Sequence, residues 1–533
     1  MDTPADPGTS FAEAYELNDY IIDIENKMFT HRPDCFGILG VAREIAGIQN
    51  IPFKSPEWYA KPLGRVKPGK TKLPLEVKNE AGALVPRFMA IAMADVRMGP
   101  SPFVIQTYLS RVGLKPINNI VDVTNYLMVL TGQPLHAYDY DKVKAVSGDV
   151  PTLIARKAGQ GDKLKLLNGK EMEFSDPAVM IATDKQAIGV GGVMGGADTE
   201  VDENTKNIIL ECANFDMYSI RRTAMKYGLF TDAVTRFNKG QSPLQNEIVL
   251  EEAVETVQYV SGAHVASGTL DLQDKLPERH SVVTTSDFVN KRLGLDLPVE
   301  DMARLLENVE FQVTVSGSEI IVTPPFWRTD VEISEDVVEE VGRLHGFDHL
   351  PLELPSRSIK PARRDPMFDL KSKVRDVLAD AGANEVLTYS FVHGRLLETA
   401  GQNKEAAYNL SNALSPDLQY FRLSLTPSLL EKVHPNIKAG YQEFAIFEIG
   451  KSHIQGQMER YEDGVPKEAN VVSLVFAADE KTSRHHKGAA FFAARKYLQQ
   501  LLDLGTHAHI NLEKLAGADM YNNPWVEQVT APY

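Results

Sequence analysis

The sequence predicts a multidomain protein that mixes α/β and α+β folds. Three observations predict it. The chain has 533 residues, more than one hydrophobic core organises. Helical apolar spacing and short β-rich runs both recur along it, separated by turn signals. Proline-rich breaks at 54–86 and 351–366 divide the pattern into blocks.

Residues 1–55 form an N-terminal segment of helical pieces around HRPDCFGILGVAREIAGI, with Ile38, Val41, Ile45 and Ile48 at helical spacing. Residues 56–87 read as a linker. A mixed α/β domain spans 88–275. In it SPFVIQTYLSRVGL is a helix ended by Gly113. LKLLNGKEMEF is a hairpin about Asn168-Gly169. MIATDKQAIGVGGVMGG gives two apolar strands and a glycine-rich loop, and MYSIRRTAMKYGL and PLQNEIVLEEAVETVQYVSGA are helices. Residues 277–352 form a small helical module: helices at SDFVNKRLG and from Pro298, then the hairpin FQVTVSGSEIIVTPP. A linker at 353–366 leads to a last α/β domain, 367–533, with helix FDLKSKVRDVLADAG and strands EVLTYSFV, QEFAIFEIG and ANVVSLVFA. The ending NPWVEQVTAPY has no closing element, which suggests truncation.

Composition excludes several classes. Apolar residues make up 43% and charged residues 24%. No run of 18 apolar residues occurs, so no membrane helix is expected. The acidic N-terminus does not suit a targeting peptide. Two cysteines, Cys35 and Cys212, are too few for a disulfide framework, and a reducing cytoplasm fits. A net charge of −16 argues against nonspecific nucleic-acid binding. Local basic stretches remain open, as KPLGRVKPGKTK at 61–72, although a solvated linker is the favoured reading of it.

The densest charge pattern lies at DVEISEDVVEE, with six acids in the eleven residues 330–340. Ser334 is a plausible N-cap. Asp336, Glu339 and Glu340 share one arc of the helix, and Val337, Val341 and Leu344 face a core. Asp330 folds back over the first turn. Such a cluster is either a solvated helix start or an all-oxygen site of the kind that suits Mg²⁺.

Six stretches together resemble the bacterial type of phenylalanyl-tRNA synthetase β subunit. They are residues 31–48, KPINNIVDVTNYLMVLTGQPLHAYD (115–139), GGVMGGADTEV (191–201), IILECANFDMYSIRRTAMKYGLFTDAVTRFNKG (208–240), FWRTDVEISEDVVEEVGRLHGFD (326–348) and FRLSLTPSLL (421–430). The resemblance implies a B1-like remnant at 1–55, a B3/B4-like editing domain at 88–275, a winged-helix-like B5-type domain at 277–352 and a degenerate class II synthetase antiparallel-sheet core at 367–533. The family's N-terminal OB-like and C-terminal anticodon-binding domains are not matched. Phe421-Arg422 is followed by Leu-Ser, not the Phe-Arg-x-Glu of a working class II site, so synthesis is expected in the α subunit, which binds most of the ATP.

The resemblance further implies a cytoplasmic α2β2 heterotetramer acting on tRNA(Phe), with a Mg²⁺ site shared with the α subunit on Asp330, Asp336, Glu339 and Glu340. It implies hydrolysis of mischarged Tyr-tRNA(Phe) at an editing pocket in this chain. Glu211 would read the tyrosine hydroxyl through a buried hydrogen bond. His136 would orient water or hold the terminal ribose. Thr124 and Asn125 would bind the adenosine end or the water, and Gly192, Gly195 and Gly196 would admit the substrate against backbone. Arg221, Arg222 and Lys226 are candidate phosphate contacts or a solvated helix face. A stand-alone tRNA-binding or trans-editing factor is the alternative, and a metal-dependent phosphoryl-transfer enzyme a third reading that lacks a phosphate loop.

Overall fold

The computed structural model describes residues 5–505, except 16, 26, 355, 362, 480 and 482–489. The NPWVEQVTAPY ending lies outside the described residues. The chain divides into two compact units, Met1–Leu354 and Pro355–Tyr533.

Two sheets build the middle of the first unit. One is antiparallel, in the order His264–Val265, Arg87–Ala94, Ile208–Asn214, His136–Asp139, and Leu270–Gln273 also pairs with Arg87–Ala94. The other runs Glu76–Asn79, Thr152–Lys157, Val179–Ala182, Ala187–Val190, Met194–Gly195. Only its first pair is parallel. Strand alternation splits the central strand between two cores. Ile209 and Ala213 join the core that holds Met180, Ile181 and Val190 of the second sheet. Ile208, Leu210 and Cys212 join the core formed with the helices Asn119–Thr131 and Asn246–Ser261. Both cysteines are free and buried.

Most predicted elements form where the periodicity placed them. Phe103–Arg111 stops before Gly113, whose φ is +82°, and the hairpin turns at Gly169, whose φ is +81°. Residues 56–87 do more than link. Glu76–Asn79 is a sheet strand, and the buried Tyr59 bonds Gln245 at 3.0 Å. Arg65 of the basic stretch is paired with Glu252 at 2.6 Å.

The module from Val282 to His345 has one antiparallel sheet, Val282–Thr285, Glu319–Thr323, Gln312–Ser316, with the helices Ser286–Leu293, Val299–Glu307 and Ser334–His345. Pro298 occupies the cap position rather than the first turn. Val337, Val341 and Leu344 enter its core as expected. Ser334 does not cap its helix. Ile333 holds that position, and the Asp336 carboxylate accepts from the Ile333 N–H at 2.9 Å. The Ser334 hydroxyl bonds Val283 O instead.

The helix Ile38–Ile48 is turned opposite to what its apolar stripe suggests. Ile38, Ile45 and Ile48 are exposed, whereas Arg43, Glu44 and Gly47 are buried. The reason is a buried ion network shared with the Val282–His345 module. Arg32 holds Asp34 at 2.9 Å and Glu44 at 3.0 Å. Arg43 holds Glu310 at 2.8 Å and stacks on Trp327. Arg343 bridges Glu44 and Glu340, and Arg328 takes Glu340 at 2.6 Å and Asp330 at 2.7 Å. Gly47 completes the fit, since a Cβ there would lie 2.4 Å from Val309 Cγ1.

The second unit is built on the antiparallel pair Glu443–Ser452 and Ala469–Ala478, flanked by the helices Pro366–Asp380 and Ala490–Gly505. The expected strand EVLTYSFV breaks in two. Asn384–Glu385 pairs parallel with Glu443–Ser452, so this sheet is mixed. Phe391–Val392 pairs elsewhere, with Tyr420–Phe421. Between them Leu387 and Tyr389 are exposed, having no strand to pack against. No helix among the described residues is long and apolar enough to cross a membrane.

Arg328→Met removes the cation shared by Glu340 and Asp330. The expected loss is about 3–5 kcal/mol in the stability of the first unit. Urea unfolding followed by fluorescence of the adjacent Trp327 measures it, and a change below about 1 kcal/mol would contradict the network's role.

Candidate functional site

Between the two sheets lies a cleft of about 310 Å³. Antiparallel register sets its chemistry. Glu211 stands directly opposite His136 on the neighbouring strand, so their side chains leave the same face. Tyr138, two residues beyond His136, shares that face. The Tyr138 phenol donates to Glu211 Oε2 at 2.6 Å. The His136 ring meets the Tyr138 ring edge to face, with centroids 4.4 Å apart.

Glycines form the opposite wall, and each is required by a contact. A Cβ on Gly195 would lie 2.6 Å from His136 Cε1, and one on Gly191 would lie 2.6 Å from the Phe215 ring. Gly192 has φ +69°, and its Cβ would meet Phe215 and Ile220 within 2.8 Å. The glycine loop is pinned by its ends. Leu167 N–H donates to Gly195 O, Gly196 N–H to Ile188 O, and the Thr231 hydroxyl to Val193 O.

Burial governs the electrostatics. Glu211 is 5% exposed. Desolvation pushes its carboxyl up to about 7, against the smaller downward pull of the Tyr138 hydrogen bond. Burial drives His136 down to about 4, so its imidazole is neutral at neutral pH. A base that weak does little proton abstraction at pH 7. It serves better as a neutral hydrogen-bonding group. Thr231, the aliphatic hydroxyl among the described residues lining the cleft, donates to Val193 O at 2.9 Å.

Of the residues singled out in the sequence, Glu211, His136, Asn125, Gly192 and Gly195 line this cleft. Thr124 does not. Its hydroxyl turns back to Val121 O at 2.7 Å within the helix, the usual outlet for a mid-helix threonine. Tyr138 was missed, although its place two residues after His136 in a short strand was the available signal. Lys226 is engaged by Ser175 and Asp176, while Arg221 and Arg222 are exposed.

The four acids expected to bind magnesium do not converge. Asp330 and Glu340 are neutralised by Arg328, and Glu340 also by Arg343. Burial alone would raise the Glu340 carboxyl, but the two arginines hold it well below its ordinary range. Asp336 accepts the backbone N–H groups of Glu332 and Ile333, and Glu339 is exposed. Among the described residues no group of three or more His, Cys, Asp or Glu is placed to hold a metal. These residues therefore do not fit a magnesium ion within this chain, because two of the four carboxylates already have buried cationic partners.

Glu211 binds its proton more tightly in the folded chain than its ordinary value of 4.5 allows. Stability therefore falls as pH rises from about 4.5 to about 7. Glu211→Gln is expected to remove that fall and to exceed wild type by up to about 3 kcal/mol at pH 8. Denaturation across pH 4–8 tests this, and parallel curves for the two proteins would refute it. Millimolar Mg²⁺ is expected to leave the melting temperature of this chain unchanged. A rise lost in Glu340→Gln would instead restore Glu340 as a ligand.

Comparison with known proteins agrees with the sequence resemblance. Three family models match: the B3/4 domain over 84–262, the tRNA synthetase B5 domain over 282–347, and the phenylalanyl tRNA synthetase beta chain CLM domain over 350–522. The phenylalanine–tRNA ligase beta subunit of Bacillus thuringiensis subsp. konkukian is 31% identical over 508 residues, which is 94% of this chain and 61% of that protein. The beta subunit of Moorella thermoacetica is 35% identical over 460 residues, 86% of this chain and 56% of that protein. A crystallised N-terminal fragment of the Pyrococcus horikoshii phenylalanyl-tRNA synthetase beta subunit aligns with 15% identity and a TM-score of 0.32, over 60% of this chain and 85% of that one. The chain thus spans about three fifths of the length of these bacterial relatives. With three successive domain models matched in one chain, it belongs to the family of phenylalanine–tRNA ligase beta subunits.

Proposed function

We infer that this chain acts as the β subunit of a phenylalanine–tRNA ligase and hydrolyses Tyr-tRNA(Phe) in the cleft between its two sheets. Its family membership supports the subunit role. In this reading an α subunit binds ATP and makes the aminoacyl ester, in a cytoplasmic α2β2 assembly. This chain supports that subunit and removes the wrong product.

One observation carries the editing reading. A single carboxyl group, Glu211, is buried on the cleft wall beside a neutral imidazole. Tyrosine differs from phenylalanine by one hydroxyl, and an apolar pocket rejects an added hydroxyl by only about a hundredfold. A buried acceptor reverses the selection. Its oxygen not taken by Tyr138 binds the phenol and is left unpaired by phenylalanine. His136 stands next to the acceptor, where its neutral ring orients a water or a ribose hydroxyl. The water adds to the ester carbonyl, the ester C–O bond breaks, and the tRNA oxygen leaves with a proton. Asn125 lines the same cleft and in this reading binds the substrate's polar atoms. The Thr124 hydroxyl bonds Val121 O, so Asn125 is the better-supported polar contact of the two.

Deacylation of Tyr-tRNA(Phe) and Phe-tRNA(Phe), by this chain alone and with a cognate α chain, tests the reading beside Glu211→Ala. Wild type is expected to prefer the tyrosyl ester. The variant is expected to lose about ten- to a hundredfold of that preference, the cost of leaving a buried polar group unpaired. Full hydrolysis and full preference in the variant would remove Glu211 from the role. No hydrolysis by wild type in either setting would end the editing reading.

A further inference from the structure

Tyr138 is a second buried titratable group in the cleft. It is 2% exposed, and its phenol points at the same carboxyl that would receive a substrate phenol. The side chain of Glu211 has no other hydrogen-bond partner among the described residues. Around it are apolar walls: Ile181, Val190 and Ala213. Torsion about the last bond of a glutamate is broad and nearly two-fold. Without a fixed partner the carboxyl plane would turn, and either oxygen position would be open to a substrate phenol. The Tyr138 hydrogen bond removes that freedom by assigning Oε2 to the protein.

We propose that Tyr138 is the positioning residue of the cleft's acceptor: its phenol fixes the Glu211 carboxyl through Oε2 and leaves Oε1 as the one acceptor for a substrate phenol. The proposal rests on the tyrosyl-ester reading above and adds to it the residue that aims Glu211. The consequence is geometric. With one acceptor oxygen, a bound tyrosyl group has one depth in the cleft, and its ester has one position beside His136. With two equivalent oxygens the ester is displaced in part of the bound population, and a misplacement of about 1 Å costs on the order of a hundredfold in rate.

The other titratable groups lining the cleft are His136 and Asp232. His136 is neutral at neutral pH, and Asp232 is exposed and paired with Arg236 at 3.2 Å. Neither compensates for a lost phenol. The Tyr138 hydrogen bond is also the influence that opposes the upward push of burial on Glu211, so its removal raises the pH at which Glu211 ionises.

Tyr138→Phe keeps the ring and deletes only the hydroxyl. The full chain, with its cognate α chain, is assayed on Tyr-tRNA(Phe), and the Glu211 carboxyl is titrated by infrared difference against Glu211→Gln. The expected result is a fall in kcat of at least about tenfold with KM within about twofold, and an upward shift of the carboxyl midpoint. An unchanged or raised kcat, or an unmoved midpoint, would overturn the proposal. A raised kcat would mean that Tyr138 competes with the substrate rather than aiming its acceptor. If wild type hydrolyses nothing, the tyrosyl-ester reading falls, and the infrared midpoint alone decides whether Tyr138 holds Glu211.

Discussion

Four arginines and five carboxylates, most of them buried, hold the first unit together across its longest sequence separations. Arg32, Arg43, Arg328 and Arg343 face Asp34, Glu44, Glu310, Asp330 and Glu340. A buried charge is tolerated only with partners and hydrogen bonds around it. Each member is thereby constrained by the others. This constraint explains why the helix Ile38–Ile48 buries its charges and shows its isoleucines. It also explains why Gly47 lies between Val309 and Leu344, where the helix comes closest to the following module.

The cleft depends on a different rule. Antiparallel register makes Glu211 and His136 neighbours although they are 75 positions apart in the chain. Strand alternation then puts Tyr138 on their side and Cys212 on the other. The glycines opposite leave room that any side chain would fill. A polar group placed on a wall this apolar is not neutral to its surroundings. Burial raises the Glu211 carboxyl and lowers the His136 imidazole, so both resist charging. The pair is therefore suited to hydrogen bonding rather than to charge.

The acidic stretch at 330–340 shows how one pattern divides on folding. A helical wheel places Asp336, Glu339 and Glu340 on one arc, and that is correct as far as it goes. The wheel shows Arg343 one turn on from Glu340 but not Arg328, which reaches Glu340 from outside the helix. Nor does it show that Asp336 is occupied by the helix's own first N–H groups. Six acids in eleven residues became three ion-paired carboxylates (Asp330, Glu335 and Glu340), one cap and two exposed side chains.

Much was legible in the sequence, for local reasons. Hairpin and helix ends follow from φ angles that only glycine adopts easily, as at Gly113, Gly169 and Gly262. The family resemblance lay in contiguous motifs, and Glu211 stood out as one acid within an apolar strand. What stayed hidden depends on partners far away in the chain. EVLTYSFV has strand composition, yet a strand needs a neighbour for its whole length, and it found one only for Asn384–Glu385 and Phe391–Val392. Thr124 lies one residue before Asn125, but helical rotation sends its hydroxyl to Val121 O and Asn125 to the cleft. The sequence by itself determined the elements, their order and the kinds of chemical group available. The tertiary structure alone decided which carboxylates are neutralised by arginine and which one waits in the cleft, because charge pairing and desolvation act through space.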